Sequence, residues 1–415
     1  MGPMNNFTKE FFNYESSKIC SELKKSPTFA MSLGAKELFH TNFLAFLFES
    51  NHEELRQVQN NLKMLFFGEV FEDRVFVFRE KVHMDLILLR VFSGKLSDHT
   101  KTIAVAVEAK LKSIPTQNQL DKYSDKFTKG ILIDLPDSDD LFFAGIKNVK
   151  KIKLTIGKEG NAEIELKVEQ EESSRLKTLK DKISGVGKTF ILTPKTGDLF
   201  KGTWEQVTWD KVAEAMHQST DITLVHQVVR QYGKDLASLM CQLDLVDKLN
   251  QAFINGELTL GELKNLLLDE KFRNLRIHDL ISKYSFWRLS SEIGRKLINP
   301  EKYNLEVEAN FFRSDPIINF FIKIKDEKAD SIGRIGVQIQ ENQYRHFIQY
   351  LQKDNQGMKW IESHKQWFDG LGDKKDNKGR FRFGENFEYT RKFCASWKFD
   401  YLMRELSESF DGFKS

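Results

Sequence analysis

Residues 7 to 50 place apolar side chains three and four positions apart, the spacing of helices with one buried face. In Glu37-Leu38-Phe39-His40-Thr41-Asn42-Phe43-Leu44, the residues Leu38, Phe39 and Phe43 line that stripe, and Phe46 and Leu47 continue it. Glu37, His40 and Thr41 share the stripe beside it. The period then shortens to two. Val75 to Phe78 and Met84 to Leu89 read as strands, the second interrupted by a single carboxylate, Asp85. After a polar loop, Thr102 to Val107 is apolar enough for a strand buried on both faces, and it ends in Glu108-Ala109-Lys110. Pro115 suits the first turn of a helix in which Gln119 and Tyr123 lie four apart on one face. Gly130 to Leu135 reads as a short strand. Ile152 to Ile156 and Ile164 to Val168 alternate around Lys158 to Asn161, a hairpin pattern. Phe190 to Thr193 is a further strand, and Thr208 has the place of an N-cap for a helix from about Trp209 to His217.

From about 223 to 298 the pattern is helical throughout, with Thr259-Leu260-Gly261-Glu262 forming a capping box. After Pro300, Leu305 to Phe312, Ile317 to Ile324 and Ile335 to Ile339 read as strands of a second sheet, followed by Trp- and Tyr-rich helices. The pattern predicts an α/β fold with a mixed central sheet flanked by helices. Its expected partition is a first domain over 5–245, a helical connector over 246–300 and a smaller α+β C-terminal domain over 301–415.

Composition changes this picture little. Of 415 residues, 40% are hydrophobic and 30% charged, an ordinary globular balance. A formal net charge of +3 supplies no global field, so a polyanionic partner would have to be held by local clusters of Lys and Arg. Cys20, Cys241 and Cys394 are far apart and odd in number, without CxxC or Cys/His zinc spacing, which fits a reduced cytoplasmic setting. The longest apolar runs fall short of the roughly 20 residues of a membrane helix, so no membrane partner is expected. The N-terminus lacks the charged and apolar regions of a signal peptide.

The chemistry concentrates at the ends of two strands. Residues i and i+2 of a strand face the same side, so Glu108 and Lys110 share a site while Ala109 points away and can offer its carbonyl. Asp85 lies 108 − 85 = 23 positions earlier, room for a hairpin with a long loop. Two carboxylates supply hard oxygen ligands for Mg²⁺ or Mn²⁺, and a lysine beside them can stabilise developing negative charge. The same residues also fit a strand-end ion pair worth little, with Asp85 needing a buried partner.

Met84-Asp85 followed by Glu108-Ala109-Lys110 resembles the PD-(D/E)XK nuclease superfamily, with Met84 where that motif has proline. Glu37 to Leu44 is similar to the opening helix motif of its PDDEXK_4-type branch. Arg79-Glu80 matches too, and Gln119-Leu120-Asp121-Lys122-Tyr123 resembles the QxxxY element of RecB-like nucleases. The similarity spans roughly 30 to 240 and leaves the C-terminal part unassigned. It implies that Asp85 and Glu108 bind Mg²⁺ or Mn²⁺ with the Ala109 carbonyl, and that Lys110 positions or activates water. It makes Glu37 a further ligand or an anchor beside the ligands, and has Gln119 and Tyr123 orient Lys110 or touch the nucleic-acid backbone. The implied activity is hydrolysis of nucleic-acid phosphodiesters, DNA rather than RNA, in bacterial defence against foreign DNA. Such a role leaves room for a homo-oligomer or a partner protein from a defence system. The alternatives are a non-catalytic nucleic-acid-binding or scaffold module on a nuclease fold, and an RNA-cutting toxin.

Other features weigh less. His40 reads as a structural residue beside the site and His83 as a strand neighbour. Gly185-Val186-Gly187-Lys188-Thr189 lacks the first glycine of a phosphate loop, since Lys182 stands there, and is rejected as one. The Lys/Glu-rich stretch 147–188 reads as a solvated face. Lys374 to Phe383 interleaves basic and aromatic residues and fits either a grip on nucleic acid or a solvated loop.

Overall fold

The N-terminal apolar stripes form three helices rather than one: α1 (Lys9–Lys25), α2 (Pro27–Ala35) and α3 (Glu37–Glu49). Pro27 takes the first position of α2, where its missing N–H costs nothing, and the Ser26 hydroxyl accepts from the Phe29 N–H as its cap. These features belong to a computed structural model, which describes residues 9–35, 37–81, 84–91, 102–110, 117–135, 149–170, 173–194, 204–217, 224–297, 305–312, 315–325, 331–340, 342–352, 356–364 and 381–412. The chain forms two compact units, Ser21–Cys241 and Met1–Cys20 with Gln242–Ser415. The stretch 246–300, expected to be a connector, groups with 301–415, as does the start of α1. Packing explains the latter: Phe12 meets Phe272 edge to face at 6.2 Å, and Lys9 pairs with Glu262 at 2.5 Å. No helix of the described residues is long and apolar enough to cross a membrane.

In the first unit α4 (Arg56–Phe67) ends on Gly68, whose φ of +83° a side chain would resist. Then come β1 (Arg74–Lys81), β2 (Met84–Val91) and β3 (Thr102–Ala109), α5 (Gln117–Lys129), and β4 (Ile131–Asp134). They are followed by β5 (Val149–Ile156), β6 (Asn161–Gln170), β7 (Ser173–Thr193), β8 (Trp204–Thr208) and α6 (Trp209–His217). The sheet order is β1-β2-β3-β7-β6-β5-β4, with β8 also paired to β7. Neighbours run antiparallel except β3 with β7 and β7 with β8, which are parallel, so the sheet is mixed.

Strand β7 is far longer than the expected Phe190 to Thr193. Its first half pairs with β6; from Val186 onward it pairs with β3, and from Thr189 with β8 as well. The glycines rejected as a phosphate loop therefore lie inside a strand, and a Cβ on Gly187 would sit 2.9 Å from both Ala162 and Ile156. One face of the sheet buries Ala104, Ala106, Ile87 and Leu89 with Leu120 and Phe127 of α5. Each large side chain buried there contributes about 1.5–3 kcal/mol. On the other face Phe190 meets Phe66 of α4 at 5.9 Å.

The second unit takes the end of α7 (Leu224–Ile254), α8 (Leu260–Leu267), α9 (Glu270–Asn274) and α10 (His278–Leu297). The capping box is present: Thr259 and Glu262 bond each other's main-chain N–H. Its sheet comprises β9 (Glu306–Phe312), β10 (Asp315–Lys325), β11 (Ser331–Gln340), β12 (Gln343–Tyr350), β13 (Phe381–Arg382) and β14 (Phe387–Phe393). All pairs are antiparallel, in the order β13-β14-β12-β11-β10-β9. The helices α11 (Gly357–Ser363) and α12 (Phe399–Gly412) complete it. The helices expected after 339 are present as α11, with Trp360, and α12, with Tyr401, but the strands β12, β13 and β14 stand among them, unlike the expectation. Their aromatic and apolar residues alternate with polar ones, and two-residue alternation suits a pleated strand.

Candidate active site

The register Leu86↔Val107 in the β2–β3 ladder, carried one step further, sets Asp85 opposite Glu108. By two-residue alternation Asp85 follows Ile87 and Leu89, and Glu108 follows Ala104 and Ala106, onto the face that α5 covers. Lys110 continues that side, and the three groups converge. Lys110 Nζ lies 2.8 Å from Glu108 Oε1 and 3.6 Å from Asp85 Oδ2. Asp85 Oδ2 also accepts the Ala109 N–H at 2.8 Å, which ties the end of β2 to the end of β3. Exposure is graded: Glu108 is 1% exposed, whereas 23% of the Asp85 side chain is open. A ligand approaching the three therefore meets Asp85 first.

Helix α5 supplies the support. Gln119 Nε2 donates to Glu108 Oε1 and to the Tyr123 hydroxyl, both at 2.8 Å, as its i, i+4 spacing allows. Burial pushes the Tyr123 pKa up, so this phenol keeps its proton. Trp204 of β8 fixes the same helix, its indole N–H donating to Ser124 Oγ at 2.9 Å. The five residues Asp85, Glu108, Lys110, Gln119 and Tyr123 thus form one connected cluster.

The main chain of Lys110 is held from both sides. Its N–H donates to the Leu192 carbonyl at 2.7 Å, and its carbonyl accepts the Trp209 indole N–H at 3.2 Å. Behind Trp209 stands His40, ring centroids 5.7 Å apart, with its Nδ1 2.7 Å from the Tyr232 hydroxyl. His40 is buried, beside the residues that hold the Lys110 main chain. Trp209 and Tyr232 were not singled out in the sequence as site residues. Nothing local marks them, because their contacts to Lys110 and His40 span 99 and 192 positions.

Glu37 opens α3, a helix that packs along β1, β2 and β3, but its side chain lies outside the described residues. His83, Pro115 and Lys374 to Arg380 also lie outside them. Arg79 reaches α3 through Asn42 Oδ1 at 3.2 Å. A cleft of about 880 Å³ runs beside Arg74 to Phe78 and Asp134-Leu135; none of the five clustered residues lines it.

Could these residues hold a divalent cation? Asp85 and Glu108 are hard oxygen donors on adjacent strand ends, both within reach of the Lys110 ammonium, and Mg²⁺ or Mn²⁺ accepts donors of this kind with water completing its shell. Among the described residues no group of three or more His, Cys, Asp or Glu surrounds a common point. Any third protein ligand would then be a main-chain carbonyl such as that of Ala109, or Glu37. The donor set fits a cation held by two carboxylates. No family model, curated protein or solved structure matches the chain.

Proposed function

We propose that the chain is a divalent-metal-dependent nuclease of the PD-(D/E)XK type, hydrolysing phosphodiesters of DNA in preference to RNA, in defence against foreign DNA. One observation carries the reading: a lysine ammonium 2.8 Å and 3.6 Å from carboxylates on two adjacent strand ends, with Gln119 and Tyr123 bonded in line behind Glu108. An ion pair made only for stability has no use for a partly open aspartate and a half-buried glutamine–tyrosine pair bonded beside it.

In this reading Asp85, Glu108 and the Ala109 carbonyl hold Mg²⁺ or Mn²⁺, with Glu37 as a further ligand or anchor. When bound, the cation offsets charge on the scissile phosphate and lowers the pKa of an attacking water. The chain's own groups do the rest. Lys110 orients the water and donates toward oxygens that gain negative charge. Gln119 fixes the Glu108 carboxylate in one rotamer, and Tyr123, protonated, fixes Gln119. Trp209 and the Leu192 carbonyl hold the Lys110 backbone, so its ammonium is aimed before substrate arrives.

The test is to incubate the protein with supercoiled plasmid, single-stranded DNA and RNA, each with Mg²⁺, Mn²⁺ or EDTA. DNA is expected to be cut with metal, and Lys110→Ala to abolish cutting. Cleavage of RNA alone would make it an RNA-cutting enzyme. No cleavage under any metal would leave a non-catalytic binding module, and a Lys110→Ala chain that cuts as fast as wild type would remove Lys110, and with it this reading of the site, from the reaction.

A further inference from the structure

The sheet of the second unit has two unlike faces. On one, Tyr344 and His346 of β12 bond Ser409 of α12 at 2.8 and 2.9 Å, and Lys392 pairs with Glu405 at 3.1 Å. Alternation sends the odd-numbered residues of β12, β13 and β14 to the opposite face. Register then builds rows across the strands. Phe381, Tyr389 and Phe347 form one row, Arg391 and Arg345 the next, and Phe393 and Gln343 a third.

The rows pack flat. Phe381 stacks on Tyr389 at 5.3 Å between ring centroids. The Arg391 guanidinium lies 4.3 Å above the Phe381 ring, and that of Arg345 lies 4.7 Å above Tyr389. Arg345 also donates to the side-chain carbonyls of Gln340 and Gln343, at 2.5 and 2.7 Å. Arg–aromatic stacking by itself is ordinary cladding for a sheet. Cladding does not explain two open rings at the turn and the end of the β13–β14 hairpin: Phe383, just after β13, is 68% exposed, and Phe393, the last residue of β14, 71%. Charge is segregated as well. Among the described residues this face of β12, β13 and β14 carries arginines and no carboxylate, while Glu306 and Glu308 stand at the β9 edge, paired with Lys323 and Arg334.

We propose that the β12–β14 half of this face binds single-stranded nucleic acid. Bases stack on Phe393, and Arg391 meets the phosphates, with the charge of Arg345 behind it. Open rings beside fixed positive charge match that ligand, whose bases are free to unstack. A duplex keeps its bases paired and offers this flat surface only its backbone. An acidic protein could use the charge but would have little use for the open rings of Phe383 and Phe393.

The site lies outside the proposed nuclease cluster, and its test requires no hydrolysis. The wild-type full chain in EDTA is titrated against fluorescein-labelled 15-nucleotide single-stranded DNA, the same RNA, and duplex DNA, read by anisotropy. Single strands should bind at least ~10-fold tighter than duplex. Phe393→Ala should weaken them by about 5- to 100-fold, and its exposure makes folding of the variant safe to check by its melting midpoint. Arg391→Ala should reduce the slope of log K against log salt by about 0.7. Equal binding of duplex, or single-strand affinity unmoved by both substitutions, overturns the proposal. So does a change of oligomeric state in Phe393→Ala with oligonucleotide binding intact, which would assign the rings to self-association. Since nothing is cut in EDTA, failure here leaves the nuclease reading standing, and inactive protein leaves this one standing.

Discussion

Replacing Lys110 by methionine keeps most of its length and removes its charge. With an effective dielectric of about 20, the ammonium attracts Glu108 at 2.8 Å by about 6 kcal/mol and Asp85 at 3.6 Å by about 5 kcal/mol. Desolvating the ammonium opposes much of this, but its side chain is only 11% exposed and Glu108 cannot recover water. The net cost is therefore that of leaving a buried carboxylate unpaired, about 3–5 kcal/mol. For a unit of this size it lowers the melting midpoint by about 6–20 °C. The assay is thermal unfolding followed by circular dichroism in EDTA, wild type against Lys110→Met. Added Mg²⁺ or Mn²⁺ should restore part of the loss, because a cation replaces the missing positive charge; saturation at 100 times Kd is worth about 2.7 kcal/mol. A variant that melts with wild type, or one that divalent metal does not stabilise, would refute the view that Lys110 neutralises a cation site.

Three further outcomes are expected. Gln119→Leu removes a donor from the buried Glu108 carboxylate, so turnover in the proposed reaction should fall about 10- to 100-fold and stability by about 1–3 kcal/mol; unaltered turnover would remove Gln119 from the site. Trp209→Phe strips the N–H from the buried Lys110 carbonyl, at a cost of about 1–3 kcal/mol in urea unfolding, and an unchanged midpoint would show that contact to be idle. Burial of His346, with Lys392 nearby, pushes its pKa down from 6.5 to about 3. The unfolded chain takes up that proton first, so stability holds above about pH 6.5 and falls toward pH 3 by up to about 1.4 kcal/mol per pH unit. His346→Gln should flatten this slope in urea titrations at several pH values; an unchanged slope would assign the acid sensitivity to other groups.

The local period of the chain determined which residues share a face. Two-residue alternation put Glu108 and Lys110 together, helical spacing joined Gln119 to Tyr123, and capping chemistry fixed the start of α8 at Thr259. These are short-range rules, satisfied by the backbone of a few residues whatever surrounds them. The tertiary structure decided what depends on distant partners. It drew the charged run before Phe190 into β7, because β6 offered a ladder of free backbone groups, and then handed the same strand to β3 and β8. It brought Trp209 and Tyr232 behind Lys110 and His40 across contacts no periodicity marks. Likewise it turned much of the aromatic stretch after 339 into β12, β13 and β14, where register with their neighbours, and not propensity alone, lines up Phe381, Tyr389 and Phe347. A face is legible in a sequence because geometry repeats along the chain; a neighbour is not, because the register that selects it is set by the whole sheet.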